Sequence, residues 1–225
     1  MRFVVFGCSH TWGSGITQAD KPGLYAASSE YAWPAVLGKK FNIPVINYAL
    51  PGGSNHNILN KVRNHNWQKD DIALVLFTYF TRYTSHEDNT TIMNILPNYT
   101  NERPSMTAED RREKTVNRAF YKLFNEYHLE KINLIDIEHA YLYFKYHNIP
   151  YVTRFANRFD IVDEEATPEI INDITDNLRF FALARYTEEN MRGYDGSHYS
   201  KQVHADWADS LVEPVQQIIS NLKSK

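Results

Sequence analysis

Three side chains in this sequence have the types and the placing that acyl-transfer chemistry requires: Ser9, Asp195 and His198. A hydroxyl is a weak nucleophile until a base takes its proton. An imidazole serves as that base when a third group fixes its tautomer and stabilises its cation. In Asp195-Gly196-Ser197-His198 the carboxylate lies three residues before the ring, so one turn can bring the two together. Ser9 lies in Gly7-Cys8-Ser9, directly after the apolar run 3–6, and is followed by Gly13 and Gly15. In an open α/β sheet, ligands and chemistry collect at the carboxyl ends of strands. Each half also has a plain structural reading. Ser9 can cap the next helix or help hold a phosphate, and His198 can sit on the surface beside an ordinary turn. Together they point to a serine hydrolase, with a nucleophile after the first strand and a base with its orienting acid before the last helix.

The elements that must position these residues alternate along the chain. Residues 3–6, 43–48, 70–77 and 149–154 are short apolar runs with strand character, the third the clearest of them. Between them, 31–41, a helix marked by Ile58, Leu59 and Val62, 107–127, 131–147 and 168–186 carry helical patterning. The expected inner faces are Val116, Phe120, Leu123 and Phe124 in one helix, and Ile135, Ala140, Leu142 and Phe144 in the next. One long final helix is expected over 200–222, capped by Ser200, with Val203, Trp207, Leu211, Val215, Ile218 and Leu222 inward. Strands alternating with helices imply parallel βαβ units and helices on both faces of one sheet. No repeat, linker or composition shift divides the chain, so 1–225 reads as a single domain. Residues 17–29 read as a surface loop, and 85–105 as a polar, Asn-rich loop insertion.

Composition narrows the function classes. The chain has 225 residues, 43% of them hydrophobic and 23% charged, enough for a packed core. Its net charge is −3, from 24 basic and 27 acidic residues, with no basic patch to suggest nucleic acid as a partner. Cys8 is the single cysteine, which excludes an internal disulfide and argues against a cysteine-based zinc site. No secretory or membrane-spanning run is visible, so the expected protein is soluble and cytoplasmic. The 15 Tyr, 12 Phe and 4 Trp serve mainly as core and half-buried surface.

The motifs resemble those of the SGNH (GDSL) hydrolases. The family's Gly-Asp-Ser block is similar to Gly7-Cys8-Ser9 with Gly13, and its Asn-then-glycine block to Asn47 with Gly52 and Gly53. Its Asp-x-x-His-Pro block, which precedes a terminal helix, is similar to Asp195-Gly196-Ser197-His198-Tyr199. The resemblance spans the whole chain and is specific at its two ends. It implies a flavodoxin-like three-layer α/β/α sandwich with a central parallel sheet. It also implies a serine ester hydrolase that works through an acyl-enzyme and needs no cofactor or metal. Ser9 would be the nucleophile, His198 the acid/base and Asp195 its partner, with the Ser9 and Gly52 N–H groups facing the oxyanion. The implied substrate is a small-molecule or carbohydrate ester, with O-acetylated carbohydrate preferred because the Asn and Tyr residues of the Asn-rich 85–105 segment suit a polar, sugar-like substrate.

The third block departs. Where the family has Gly-x-Asn-Asp, this chain has Thr78-Tyr79-Phe80-Thr81, and Phe80 cannot donate the hydrogen bond that the Asn supplies. Thr78, Thr81, Arg82 and Asn55 are the substitutes to consider, Arg82 being electrostatically the strongest and equally suited to a structural ion pair. Cys8 and Tyr199 replace the family's aspartate and proline, neither of which transfers the proton. Cys8 as the nucleophile, and a metal site at His86-Glu87-Asp88, are weaker readings. His204 and Trp207, one turn apart on the last helix, read as packing. Two rival functions remain: a catalytically silent ligand- or protein-binding domain of the same fold, and a flavodoxin-like phosphate or nucleotide binder using the Gly7–Gly15 loop.

Overall fold

In the computed structural model, which describes residues 1–17, 28–86, 92–95, 108–124, 126–156, 168, 170, 191–195 and 198–224, the apolar runs become one parallel sheet. Its strands are β1 (Arg2–Phe6), β2 (Val45–Asn47), β3 (Asp71–Phe77) and β6 (Tyr151–Phe155), in the order β2-β1-β3-β6. The register is fixed by pairs such as Val4↔Ile46, Phe6↔Val75 and Phe77↔Phe155. Strands covered on both faces must be apolar at every position rather than at alternate ones. The unbroken runs of β1 and β3 have that property.

The two faces carry separate helical layers. Val4, Phe6, Ala73, Val75 and Phe77 pack against α3 (Asn55–Asn64) and α5 (Glu126–Tyr146). Phe3, Val5, Ile72, Leu74 and Leu76 face α2 (Trp33–Phe41), α6 (Lys201–Ser210) and α7 (Val212–Lys223). The fold is therefore the expected three-layer α/β/α sandwich. Local signals set several boundaries. Pro34 sits in the first turn of α2, where its missing N–H costs nothing. Ser54 and Asn57 form a reciprocal capping box on α3, and Ser200 caps α6 by accepting from Val203 N–H.

Four expectations need correction. The last helix is two, α6 and α7, meeting at Leu211. Pro214 cannot donate to a carbonyl one turn back, and its ring crowds that carbonyl, so the helix restarts with proline in its first turn. The inner face of α5 is Leu129, Asn133, Ile137, Ala140, Tyr141 and Phe144, while Ile135 and Leu142 are 51% and 60% exposed. In α4 (Ala108–Leu123) Leu123 is 80% exposed, and Phe124 just beyond it is also exposed. The polar 85–105 segment is not wholly loop: β4 (Tyr83–His86) and β5 (Ile92–Ile95) pair as an antiparallel hairpin, with Tyr83 opposite Ile95. Apart from Pro168 and Ile170, the helix expected over 168–186 lies outside the described residues, as do most of the 17–29 loop and Glu87 with Asp88.

At the end of the sheet opposite the strand carboxyl ends, Asp71 ties β1 to β3. Its carboxylate takes Arg2 Nε at 2.8 Å and Nη2 at 2.7 Å, the Gln68 N–H at 2.8 Å, and His65 Nε2 at 3.3 Å. Burial pushes the Asp71 pKa up, but the hydrogen bonds from Arg2, Gln68 and His65 outweigh it and hold the carboxyl below its ordinary value. A lowered folded pKa means stability that is present above the unfolded value, about 3.9, and lost as pH falls through the folded one. Urea unfolding between pH 7 and pH 3 is expected to show a fall in stability that is smaller in Asp71→Asn, which has no carboxylate to protonate.

Candidate active site

The chain leaves β1 for β2 by a connection carrying α2 on one face, then crosses through α3 on the other face to reach β3. The strand order therefore reverses between β1 and β3, which opens a crevice at their carboxyl ends. Ser9 stands at that crevice as the first residue of α1 (Ser9–Trp12), a single turn. The helix N-cap is Cys8, which makes no side-chain capping bond, so Ser9 is not a cap. Gly7 is required because any Cβ there would overlap the Thr11 side chain and press on the Leu76 carbonyl of β3. Cys8 is fully buried, as a small core residue is.

Among the described residues, the backbone N–H groups of Ser9 and Gly52 have no hydrogen-bond partner. Gly52 follows Pro51 in a turn closed by Gly53 N–H to Leu50 O at 2.9 Å, and its φ of 76° suits glycine. The turn is fastened to the Ser9 loop by Leu50 N–H to Gly7 O at 3.0 Å. Asn47 fixes the approach to it, donating to Thr11 O and accepting from Ala49 N–H.

Asp195 and His198 meet as their spacing suggests. One carboxylate oxygen accepts the His198 backbone N–H at 2.9 Å, and the other lies 2.6 Å from His198 Nδ1. This grip leaves Nε2 as the ring nitrogen Asp195 does not hold. The side chains are 20% and 17% exposed, within reach of solvent yet walled by protein. The turn is pressed onto the Ser9 loop. Gly15, at φ 68°, lies so close to the Asp195 carboxylate that a Cβ there would overlap it, and Gly193 lies against the Gly15 carbonyl. The His198 ring is 5.5 Å from that of His10, the residue after Ser9. A cleft beside the turn is lined by Thr17, Arg192, Tyr194, Lys201 and Gln202.

The substitutes considered for the third block fall in different places. Asn55 is 1% exposed and donates to Thr78 O at 3.2 Å and Asn133 Oδ1 at 2.9 Å, while its own oxygen accepts Thr78 N–H at 2.8 Å. Both its amide hydrogens are committed, so it does not present one to the crevice. Arg82 gives Nη1 to Thr78 Oγ1 at 3.0 Å and lies over the Tyr79 ring at 4.6 Å, rather than in an ion pair among the described residues. Phe80 is core.

Asn133 is the residue that sequence patterning missed. From the buried face of α5 its amide nitrogen reaches Phe80 O at 2.6 Å, Arg82 O at 3.2 Å and Leu129 O at 2.8 Å. Asn55 and Asn133 thus hold residues 78–82 in place from behind. Asn133→Leu should cost about 1–3 kcal/mol in chemical denaturation, because it removes the buried hydrogen bonds to the Phe80 carbonyl and from the Asn55 amide. Its turnover should fall with the displaced loop.

Two further histidines, His10 and His204, are held toward the neutral form. Burial, then the His198 charge, holds His10 well below its ordinary pKa, and the same two causes take His204 down to about 3. His204 Nδ1 accepts the Trp33 N–H at 3.2 Å and its ring packs on Trp207, which is the structural role expected of that pair.

No protein-family model and no curated protein matches the sequence. Solved structures do match in fold. The lipase Lip_vut3 from a goat rumen metagenome is 12% identical, with 95% of this chain and 97% of that one covered and a TM-score of 0.51. An acetyl xylan esterase, Est2A, from the rumen bacterium Butyrivibrio proteoclasticus is 14% identical, with 97% and 64% covered and a TM-score of 0.50. The fold this chain shares with these two structures is the three-layer α/β/α sandwich.

Proposed function

We propose that the chain is a serine ester hydrolase acting on a small acyl ester, with O-acetyl groups on carbohydrate as the first class to test. The observation that carries this reading is the double grip of Asp195 on the backbone and ring of His198, in a turn pressed against the Ser9 loop. Ser9 Oγ attacks the ester carbonyl carbon while His198 Nε2 takes its proton. The tetrahedral oxyanion is received by the Ser9 and Gly52 N–H groups, which have no other acceptor among the described residues. The C–O bond to the alcohol then breaks, and His198 returns the proton to the leaving oxygen. Water, deprotonated by the same ring, cleaves the acyl-enzyme and restores Ser9. Asp195 keeps its charge throughout and holds the Nδ1–H tautomer.

Pre-steady-state hydrolysis of 4-nitrophenyl acetate tests the reading. A burst stoichiometric with enzyme, followed by turnover, is the result expected of an acyl-enzyme. Substrate loss no faster than in buffer would refute it. The absence of an asparagine in the third block favours a second reading, a silent binder of the same fold. That reading predicts no burst.

A further inference from the structure

The residue before the missing asparagine, Tyr79, meets the residue after Ser9. In the parallel pairing Phe6 lies opposite Val75, with Ser9 three residues beyond the first and Tyr79 four beyond the second, so both stand at the carboxyl ends of neighbouring strands. The Tyr79 hydroxyl lies 3.2 Å from Nε2 of His10, the residue next to Ser9. Tyr79 itself is partly exposed, whereas His10 is only 5% exposed.

The direction of this hydrogen bond follows from the other ring nitrogen. His10 Nδ1 is buried and has no partner among the described residues. Were the phenol to donate to Nε2, neutral His10 would carry its proton on Nδ1, leaving a buried N–H with no acceptor. A buried N–H without an acceptor bears its full desolvation cost, which disfavours that tautomer. With the proton on Nε2 instead, His10 donates to the Tyr79 oxygen and Nδ1 keeps only a lone pair. The phenol then retains its own O–H, for which the described residues offer no acceptor.

We propose that Tyr79 is a catalytic residue that donates its O–H to the ester oxyanion in place of the absent asparagine, and that His10 is the positioning residue that turns the phenol outward. The proposal rests on the serine-hydrolase reading. Two further features suit it. The Arg82 guanidinium, pinned by Thr78 Oγ1, lies over the Tyr79 ring and polarises it. Burial, foremost, pushes the phenol up to about 12, so the donor proton stays on at neutral pH.

Steady-state kinetics on 4-nitrophenyl acetate, with thermal melting in parallel, test the assignment in wild type, Tyr79→Phe, His10→Phe and the double variant. Tyr79→Phe should lower kcat about 10²–10³-fold with KM within a few-fold, and lower Tm only modestly, through the His10 N–H it leaves without an acceptor. The double variant should be no slower than Tyr79→Phe alone, because the two residues act through one hydrogen bond. Should Tyr79→Phe melt early, 3-fluorotyrosine at position 79 decides. Its more acidic phenol should keep turnover at neutral pH and lose it at a lower alkaline pH than wild type. Turnover in Tyr79→Phe within twofold of wild type, or an unshifted alkaline limb, overturns the proposal while activity lost in Ser9→Ala leaves the hydrolase reading standing. Losses that add in the double variant overturn the role of His10. A wild type without turnover overturns both readings.

Discussion

Ser9→Ala is expected to abolish ester hydrolysis, with kcat falling by up to about 10⁶, the scale seen when a serine nucleophile is deleted from a protease triad. Little else should change. Ser9 is the first residue of α1, the N-cap is Cys8, and no side-chain capping bond forms there. The backbone contacts of the loop, such as Gly13 N–H to Ser9 O at 2.9 Å, do not involve the hydroxyl. The variant should therefore unfold at the same denaturant concentration as wild type. A stability loss beyond about 1 kcal/mol would recast Ser9 as a structural residue, and retained turnover would remove it from the chemistry.

Gly15→Ala is the second large effect, at a residue that does no chemistry itself. Two penalties coincide there. A φ of 68° strains an alanine, and the new Cβ falls on the Asp195 carboxylate. Backbone strain of this kind costs on the order of 1–3 kcal/mol. Displacing Asp195 frees the His198 ring from its 2.6 Å partner. Turnover should fall toward the roughly 10⁴-fold loss known for a triad histidine whose orienting aspartate is neutralised. Gly13→Ala provides the control. It is strained in the same sense, at φ 84°, but its Cβ would meet Ser29 and Ala32, away from Asp195. Gly13→Ala should share the loss of stability and keep far more activity. Equal turnover in the two variants would mean that Asp195 does not need the close approach of Gly15.

What was legible in the sequence was local. Asp195 and His198 are three residues apart, so their meeting needed only a turn, and Ser9 follows a strand that is apolar throughout Phe3 to Phe6. β1 and β3 were legible because burial on both faces leaves no alternation to misread. The face of α5 was not, because that helix is apolar on both sides: Ile135 and Leu142 look as much like core as Ile137 and Phe144 do. Asn133, a polar residue on the buried stripe, reads as surface until the carbonyls of Phe80 and Arg82 are seen to need it. The β4–β5 hairpin has no two-residue Gly turn to announce it. The contact between His10 and Tyr79 spans 69 residues, a distance no spacing rule covers. The fold is thus read largely from pattern and the pair of residues in the turn from spacing. The environment around the third block emerges only in three dimensions.

The central claim is that Ser9 is activated by His198, and intact-mass labelling with a fluorophosphonate probe tests it most directly. The account predicts one stoichiometric adduct, mapped by peptide sequencing to Ser9 and lost in His198→Ala. No adduct, or slow labelling that persists unchanged in His198→Ala, would contradict it.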